Sequence, residues 1–242
     1  MSIDNLWDLN YSFIPTDNGQ PIITQKPLTN SLSDWRKHLC KKVQTKILFG
    51  ITIYNEPDLA LVYSLVSIKQ NLDYLIQTEK YSLAEQVTLC LICDGREKIA
   101  TSTLNLLETL EICDSRRMQP KEGVHIFESR LKLNKLQKLI PVDTSVEKSD
   151  NPWLKVYQTA QQENKLSNKT YNIQTLDSVR VIVCLKEQNT GKLNSHWWFF
   201  KGFSSHLEPD YCIQMDVGCV PYSSNVNDLW EFLEQNPDVG AA

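Results

Sequence analysis

An α/β fold with a mainly parallel sheet is what this sequence predicts, and three observations predict it. From Lys46 onward, short apolar runs of strand length alternate with stretches of helical periodicity, the pattern of successive βαβ units. Four of the five apolar runs end in a polar cluster, where an open parallel sheet carries its ligand-binding groups. The composition, 41% hydrophobic and 22% charged over 242 residues, is that of a soluble globular chain with a core of ordinary size, and one large domain accommodates it.

The first run, Ile47 to Ile53, ends at Tyr54-Asn55-Glu56, and Pro57 stands where a helix tolerates proline in its first turn. Leu59, Val62, Tyr63 and Val66 then follow at helical spacing. The second run, Val87 to Cys93, ends at Asp94-Gly95-Arg96 and predicts a helix from Glu97 to Leu110. The third is Val124 to Glu128. Residues 129–178 are rich in Lys, Asn, Gln and Ser and read as an insertion, with a modest helix from Trp153 to Glu163 and a mobile stretch near Val142 to Asn151. The fourth run, Val179 to Leu185, leads into Lys186 and a helix containing His196 to Phe203. The fifth, Tyr211 to Met215, ends at Asp216, and Val226 to Glu234 reads as the next helix. Ahead of all this, residues 1–44 carry Pro15, Pro21 and Pro27 in a polar stretch and read as a peripheral arm with a short helix near Ser33 to Lys42, leaving residues 45–242 as the functional domain.

Charge and motif content exclude several classes of function. A net charge of -4 and a pI near 5.6 give no global basic field, so nucleic acid is not an expected partner and any phosphate site must be local. Seven scattered cysteines, four of them in or beside apolar runs, suit buried reduced thiols better than a disulfide framework. Cys90 and Cys93 form a CxxC, but it lies in a strand-like run with no second ligand pair nearby, which favours core over zinc or redox chemistry. No GxGxxG follows the first strand and no GxxxxGK[ST] occurs, which removes dinucleotide enzymes and P-loop ATPases. No apolar run reaches the roughly 18 to 20 residues of a membrane span, and the N-terminus lacks a signal-peptide core, so the chain by itself is expected to be soluble.

The polar clusters complement a nucleoside diphosphate. Asp94 can accept hydrogen bonds from base or ribose, Lys186 can neutralise phosphate, and Asp216 can hold a divalent metal that offsets its repulsion from a diphosphate. That combination points to a nucleotide-sugar transferase using Mg²⁺ or Mn²⁺. Taken singly, Glu56, Asp94 and Asp216 read as helix caps or solvated turns, Lys186 beside Glu187 as a surface pair, and His196 with its aromatic neighbours as a core helix. Their joint placement at strand ends carries the functional reading.

These residues resemble the chitin synthases, processive members of glycosyltransferase family 2 with a GT-A type, Rossmann-like nucleotide-diphospho-sugar transferase fold. The matching blocks are Tyr54-Asn55-Glu56, Cys93-Asp94-Gly95-Arg96, Leu185 to Asn189, Lys192 to Phe200, and Met215-Asp216-Val217-Gly218, spanning about four fifths of the chain. The combination of KEQN with NSH-x-WFF carries the most weight. By this resemblance the donor is UDP-N-acetylglucosamine and the product a β-1,4-linked polymer formed with inversion. It implies that Tyr54 and Glu56 contact the uridine, Asp94 the uracil or ribose, Lys186 the donor phosphates and Asp216 the metal, with Asn189 supporting and the helix through His196 and Trp198 beneath the donor.

Three positions depart from other transferases. Trp197 stands where the family usually has arginine, and Cys219 where threonine is usual. Gly218 stands, as in the family, where many other glycosyltransferases carry a second aspartate, so one carboxylate would hold the metal. The EDR-type segment that supplies the family's base and its QxxRW acceptor segment do not occur, and inverting transfer needs a base at the acceptor hydroxyl. The expectation is therefore an apparently truncated, donor-binding part, inactive alone, of an enzyme whose membrane association and cytosolic catalytic side come through helices beyond these residues. A non-catalytic binding protein with the same fold, and a family 2 synthase of another polysaccharide such as hyaluronan or cellulose, remain alternatives, and the oligomeric state stays open.

Overall fold

The computed structural model describes residues 11–14, 16–17, 20–21, 44–114, 124–137, 139 and 176–242. The helices expected near residues 33–42 and 153–163 and the mobile stretch expected near 142–151 lie outside the described residues. The chain divides into two compact units, one of Met1–Asp58, Gln86–Lys132 and Ser178–Val217, the other of Leu59–Glu85, Leu133–Asp177 and Gly218–Ala242.

The first unit is a mostly parallel sheet. Its strands are β1 (Tyr11–Ile14), β4 (Ile47–Ile53), β5 (Val87–Cys93), β6 (Val124–Lys132), β7 (Ser178–Lys186) and β8 (Tyr211–Asp216), after a separate short antiparallel pair, β2 (Thr16–Asp17) and β3 (Gln20–Pro21), is set aside. The order across the sheet is β1-β6-β7-β5-β4-β8, and every neighbouring pair is parallel except β6 with β7. The first two apolar runs of the sequence are strands with the predicted bounds, because strands buried on both faces read as unbroken apolar runs. Two features differ from expectation. Tyr11–Ile14 adds an edge strand within what reads as a peripheral arm, and β6 runs antiparallel to β7 and continues to Lys132, which an apolar run of five residues does not reveal.

One face of this sheet is covered from its own unit. Helix α5 (Lys192–Trp197) passes into a π-helical stretch, Trp198–Ser204, and a last α-turn, Ser205–Leu207. Trp198, Phe199 and Phe203 from the π stretch pack with Leu48, Cys90, Ile92, Val124, Ile126, Ile182 and Cys184 from the strands. A plain helix was the expectation here. The i→i+5 bonding of a π-helix widens the turn, so that Trp198 and Phe203, five residues apart, both reach the sheet. Gly50 makes the close approach possible: a Cβ at that position would stand 2.6 Å from the Phe199 ring.

The CxxC cysteines belong to this interior. Cys90 and Cys93 are fully buried on β5, free, and at odd spacing, so they face opposite sides of the sheet. Burial raises both thiols well above the ordinary range and pushes Cys184 on β7 up to about 12, which leaves all three as packed, protonated side chains.

The second unit is helical where described: α1, which begins at Asp58 and runs to Gln77, α2 (Tyr81–Glu85), α4 (Leu133–Gln137) and α6 (Asn225–Gln235); the intervening α3 (Thr101–Thr109) belongs to the first unit. Pro57 immediately precedes α1, in keeping with a helix that starts where no amide proton is needed. The polar residues buried along α1 are paired. Ser67 donates to the Ser64 carbonyl at 2.8 Å, and Asn71 donates to the Ser67 carbonyl at 2.9 Å while its Oδ1 accepts the Val226 N–H at 3.0 Å, anchoring the first turn of α6. Lys80 donates to Asn227 at 2.6 Å and Glu231 at 2.7 Å, tying α6 down a second time. No described helix is long and apolar enough to cross a membrane.

Candidate functional site

The topology dictates where a ligand can enter. From β4 the chain moves outward to β5 and β7 on one side, then returns to place β8 on the other side of β4. The parallel strands β4, β5, β7 and β8 bring their carboxyl ends to one edge of the sheet, and a crevice opens beyond them, the general binding position of open α/β sheets. A cleft of about 460 Å³ lies there, lined by Thr52, Ile53, Tyr54 and Glu56 after β4, Asp94 after β5, Asn189, Gly191, Lys192 and Ser195 after β7, and Asp216 at the end of β8. Tyr54, Glu56, Asp94, Asn189 and Asp216, singled out from the sequence, thus share one cleft.

Lys186, the residue read as a phosphate contact, stands beneath this cleft rather than on its wall. It is 2% exposed, and its Nζ lies 2.7 Å from Asp94 Oδ1, 2.9 Å from Thr190 Oγ1, 2.9 Å from Asn194 Oδ1 and 3.0 Å from Ser195 Oγ. Three ammonium protons are thereby shared among four oxygens, and the charge is committed to Asp94. The Thr190 amide adds a 3.0 Å bond to the same Asp94 oxygen, and the Thr190 hydroxyl donates to Asn194 at 2.7 Å. This knot joins the turn after β5, the loop after β7 and the start of α5. Isolated, either charge would be costly at this depth; paired and hydrogen-bonded, they fix the loop conformation.

The same two loops meet at the backbone. Arg96 N–H donates to the Lys186 carbonyl at 2.7 Å, and Gly95, at φ +100°, approaches Asn189 so closely that a Cβ would lie 2.9 Å from its amide nitrogen. Asn189 Oδ1 accepts the Gly191 N–H at 2.9 Å, turning the chain into α5. Behind them Glu187 pairs with Arg96 at 3.1 Å and with His125 Nε2, which the antiparallel β6 brings to this end of the sheet. Burial lowers the His125 imidazole below its usual range against the opposing pull of Glu187, so it is neutral at pH 7.

Asp216 is the exposed acid of the site. Its side chain is 52% exposed; Lys192 donates to Oδ2 at 2.6 Å and Thr52 donates to Oδ1 at 2.7 Å. These bonds, the Lys192 bond first, hold the carboxyl below its ordinary pKa, so it is ionised at neutral pH. As a hard, half-exposed oxygen donor it suits Mg²⁺ or Mn²⁺. Among the described residues no three His, Cys, Asp or Glu side chains cluster, so such a cation must complete its shell with ligand oxygens and water, the habit of Mg²⁺ at diphosphates. His196 lies near enough to lower Asp216 further and has a buried Nε2 with no described hydrogen-bond partner, while Trp198 sits in the core below.

Residues 47–242 match the chitin synthase-like glycosyltransferase domain family. The chain belongs to that family. It is 27% identical over 209 residues to Chitin synthase 1 of Saccharomyces cerevisiae, an alignment that covers 82% of this chain and 16% of the yeast protein. A mostly parallel α/β sheet with a cleft at its switch point is the GT-A Rossmann-like architecture that membership implies. The structure also accounts for glycine at position 218. Gly218 has φ +92° and its N–H donates to Ser64 Oγ at 2.8 Å, so an aspartate there would adopt a strained backbone. Cys219, in place of the usual threonine, is exposed and uses its carbonyl to accept from Ser64 at 2.9 Å. Trp197, in place of arginine, is half-buried in α5.

Sequence reasoning missed Lys192. An exposed lysine after a glycine looks like a solvated turn, but it lies within the NSH-containing block, one helical turn ahead of His196, and that spacing was the available signal.

Proposed function

We propose that this domain binds UDP-N-acetylglucosamine as the sugar donor of a chitin-synthase-like glycosyltransferase making β-1,4-linked N-acetylglucosamine polymer. The observation that supports this most is the convergence of Tyr54, Glu56, Asp94 and Asp216 on one switch-point cleft in a chain of this family. In this reading Tyr54, 38% exposed at the rim, and Glu56, whose Oε2 accepts the Tyr54 N–H at 2.8 Å, meet the uridine. Asp94 accepts from the uracil or ribose, with Lys186 holding it in place from below rather than touching phosphate. Asp216 ligates Mg²⁺ or Mn²⁺, which offsets the charge of the diphosphate leaving group. Neither an EDR-type nor a QxxRW-type segment occurs in these 242 residues, so the reading assigns them the donor and assigns none of them to activating the acceptor hydroxyl.

Equilibrium dialysis with labelled UDP-N-acetylglucosamine tests the reading. Retention should require Mn²⁺ or Mg²⁺, be displaced by UDP, and fall at least about tenfold in Asp216→Ala, since a ligated charge is worth more than an exposed hydrogen bond. No polymer should form. Absence of cation-dependent retention would contradict the donor assignment, and equal retention of UDP-glucose would favour a synthase of another polysaccharide.

A further inference from the structure

Three carboxylates line the cleft, Glu56, Asp94 and Asp216, and among the described lining residues Lys192 supplies the single positive side chain. That lysine is spent on Asp216: its ammonium donates to Oδ2 at 2.6 Å, while Thr52 holds Oδ1 at 2.7 Å. Both oxygens of the carboxylate are therefore engaged. The Thr52 hydroxyl is neutral and can remain beside a bound cation. The Lys192 ammonium cannot, because it occupies the oxygen a cation would take and carries charge of the same sign. Its side chain is 59% exposed on a flexible four-carbon stem, so it can leave at small structural cost, whereas Lys186 is itself buried and fixed by four partners, three of them buried.

We infer that Lys192 is a built-in, exchangeable counterion: in the free domain it occupies the cation position on Asp216, and on donor binding it transfers to the diphosphate while the divalent cation takes its place. This deepens the donor-site reading and rests on it. The exchange makes cation and diphosphate binding mutually dependent. A cation arriving alone must expel an ammonium from its carboxylate, and a diphosphate arriving alone faces the Glu56 carboxylate, two carboxylates already paired, and a lysine already committed. Arriving together, the cation releases Lys192 and the diphosphate receives it. The coupling is reciprocal, so each partner tightens the other by the same factor. The free state is also protected from holding an unpaired Asp216 charge.

Mn²⁺ binding to the full 242-residue chain, followed by the electron paramagnetic resonance of free Mn²⁺ with and without UDP, tests the exchange without reference to turnover. In the unsubstituted protein Mn²⁺ alone should bind weakly and UDP should tighten it. Lys192→Gln removes the competitor, so Mn²⁺ alone should bind about two- to fivefold more tightly, the range set by an exposed ion pair. The tightening by UDP should at the same time shrink, and Lys192→Arg should restore it in part. Unchanged or weaker Mn²⁺ binding in Lys192→Gln, with the UDP effect intact, would overturn the exchange and leave the donor reading standing. No UDP-dependent Mn²⁺ binding in the unsubstituted protein would overturn both. Lys192 is exposed, so the substitution leaves the fold untouched, and a matching thermal transition verifies this.

Discussion

Two lysines six residues apart have opposite assignments, and burial decides between them. Lys186 at 2% exposure has its charge compensated by Asp94 and three neutral oxygens, so it stabilises a loop junction; Lys192 at 59% exposure faces solvent and cleft. From sequence, both were lysines after a strand, and charge alone could not separate them. Lys186→Met should leave Asp94 buried and unpaired and destabilise the domain by about 3–5 kcal/mol, read as a lower denaturation midpoint. A cost under about 1 kcal/mol would mean that the pair is solvated. His125 gives a pH signature. Its pKa is lowered on folding, so the unfolded chain binds the proton more readily. Its contribution is complete above the unfolded value of about 6.5 and is lost as the pH falls through the folded one. The urea midpoint should therefore drop between pH 7 and pH 5, and the drop should flatten in His125→Gln. Asp216 and Glu231 are also lowered, but theirs is the more acidic carboxylate window, so the two effects separate.

Elements differed in how much of them the sequence displayed. The strands β4 and β5 were readable to the residue because both faces are buried and the runs are apolar but for Thr52 and Thr88. The second half of β6, Ser129 to Lys132, was not, since polar and charged residues alternate there with Leu131. Its direction was hidden as well, because an apolar run carries no sign of polarity. The helix expected from Glu97 begins only at Thr101, since Gly95 at positive φ opens a turn whose carbonyl accepts from Lys98 and Ile99 first. The π stretch was unreadable for a different reason: aromatic residues at four- and five-residue spacing suit α and π turns alike, and the choice is made by the sheet beneath. Gly50 is where that choice is recorded. Gly50→Ala should force the buried Phe199 ring aside and cost about 1–3 kcal/mol, and adding Phe199→Leu should recover part of it. Equal stability of Gly50→Ala and the unsubstituted protein would show that the π-helix can lift off the sheet freely.

At the scale of the whole molecule, the strand topology places one cleft at the carboxyl ends of the parallel strands of a domain of this family. The strand order could not be derived from the runs themselves, yet the polar ends of β4, β5, β7 and β8 did identify the edge that carries the cleft, because parallel strands bring their carboxyl ends together whatever their order. A net charge of -4 gives no field that attracts an anion, so on the proposed reading the attraction for an anionic donor is local, from a cation on Asp216 and from Lys192. The central claim is thus a metal-dependent nucleotide site at Asp216. Thermal unfolding of the 242-residue chain with UDP, with Mn²⁺, and with both, repeated on Asp216→Ala, tests it most directly, since a ligand that binds only the folded state must stabilise it. The pair together should raise the transition by more than the sum of the separate shifts, and Asp216→Ala should abolish the excess. A transition indifferent to the pair, or an equal excess in Asp216→Ala, would contradict the claim.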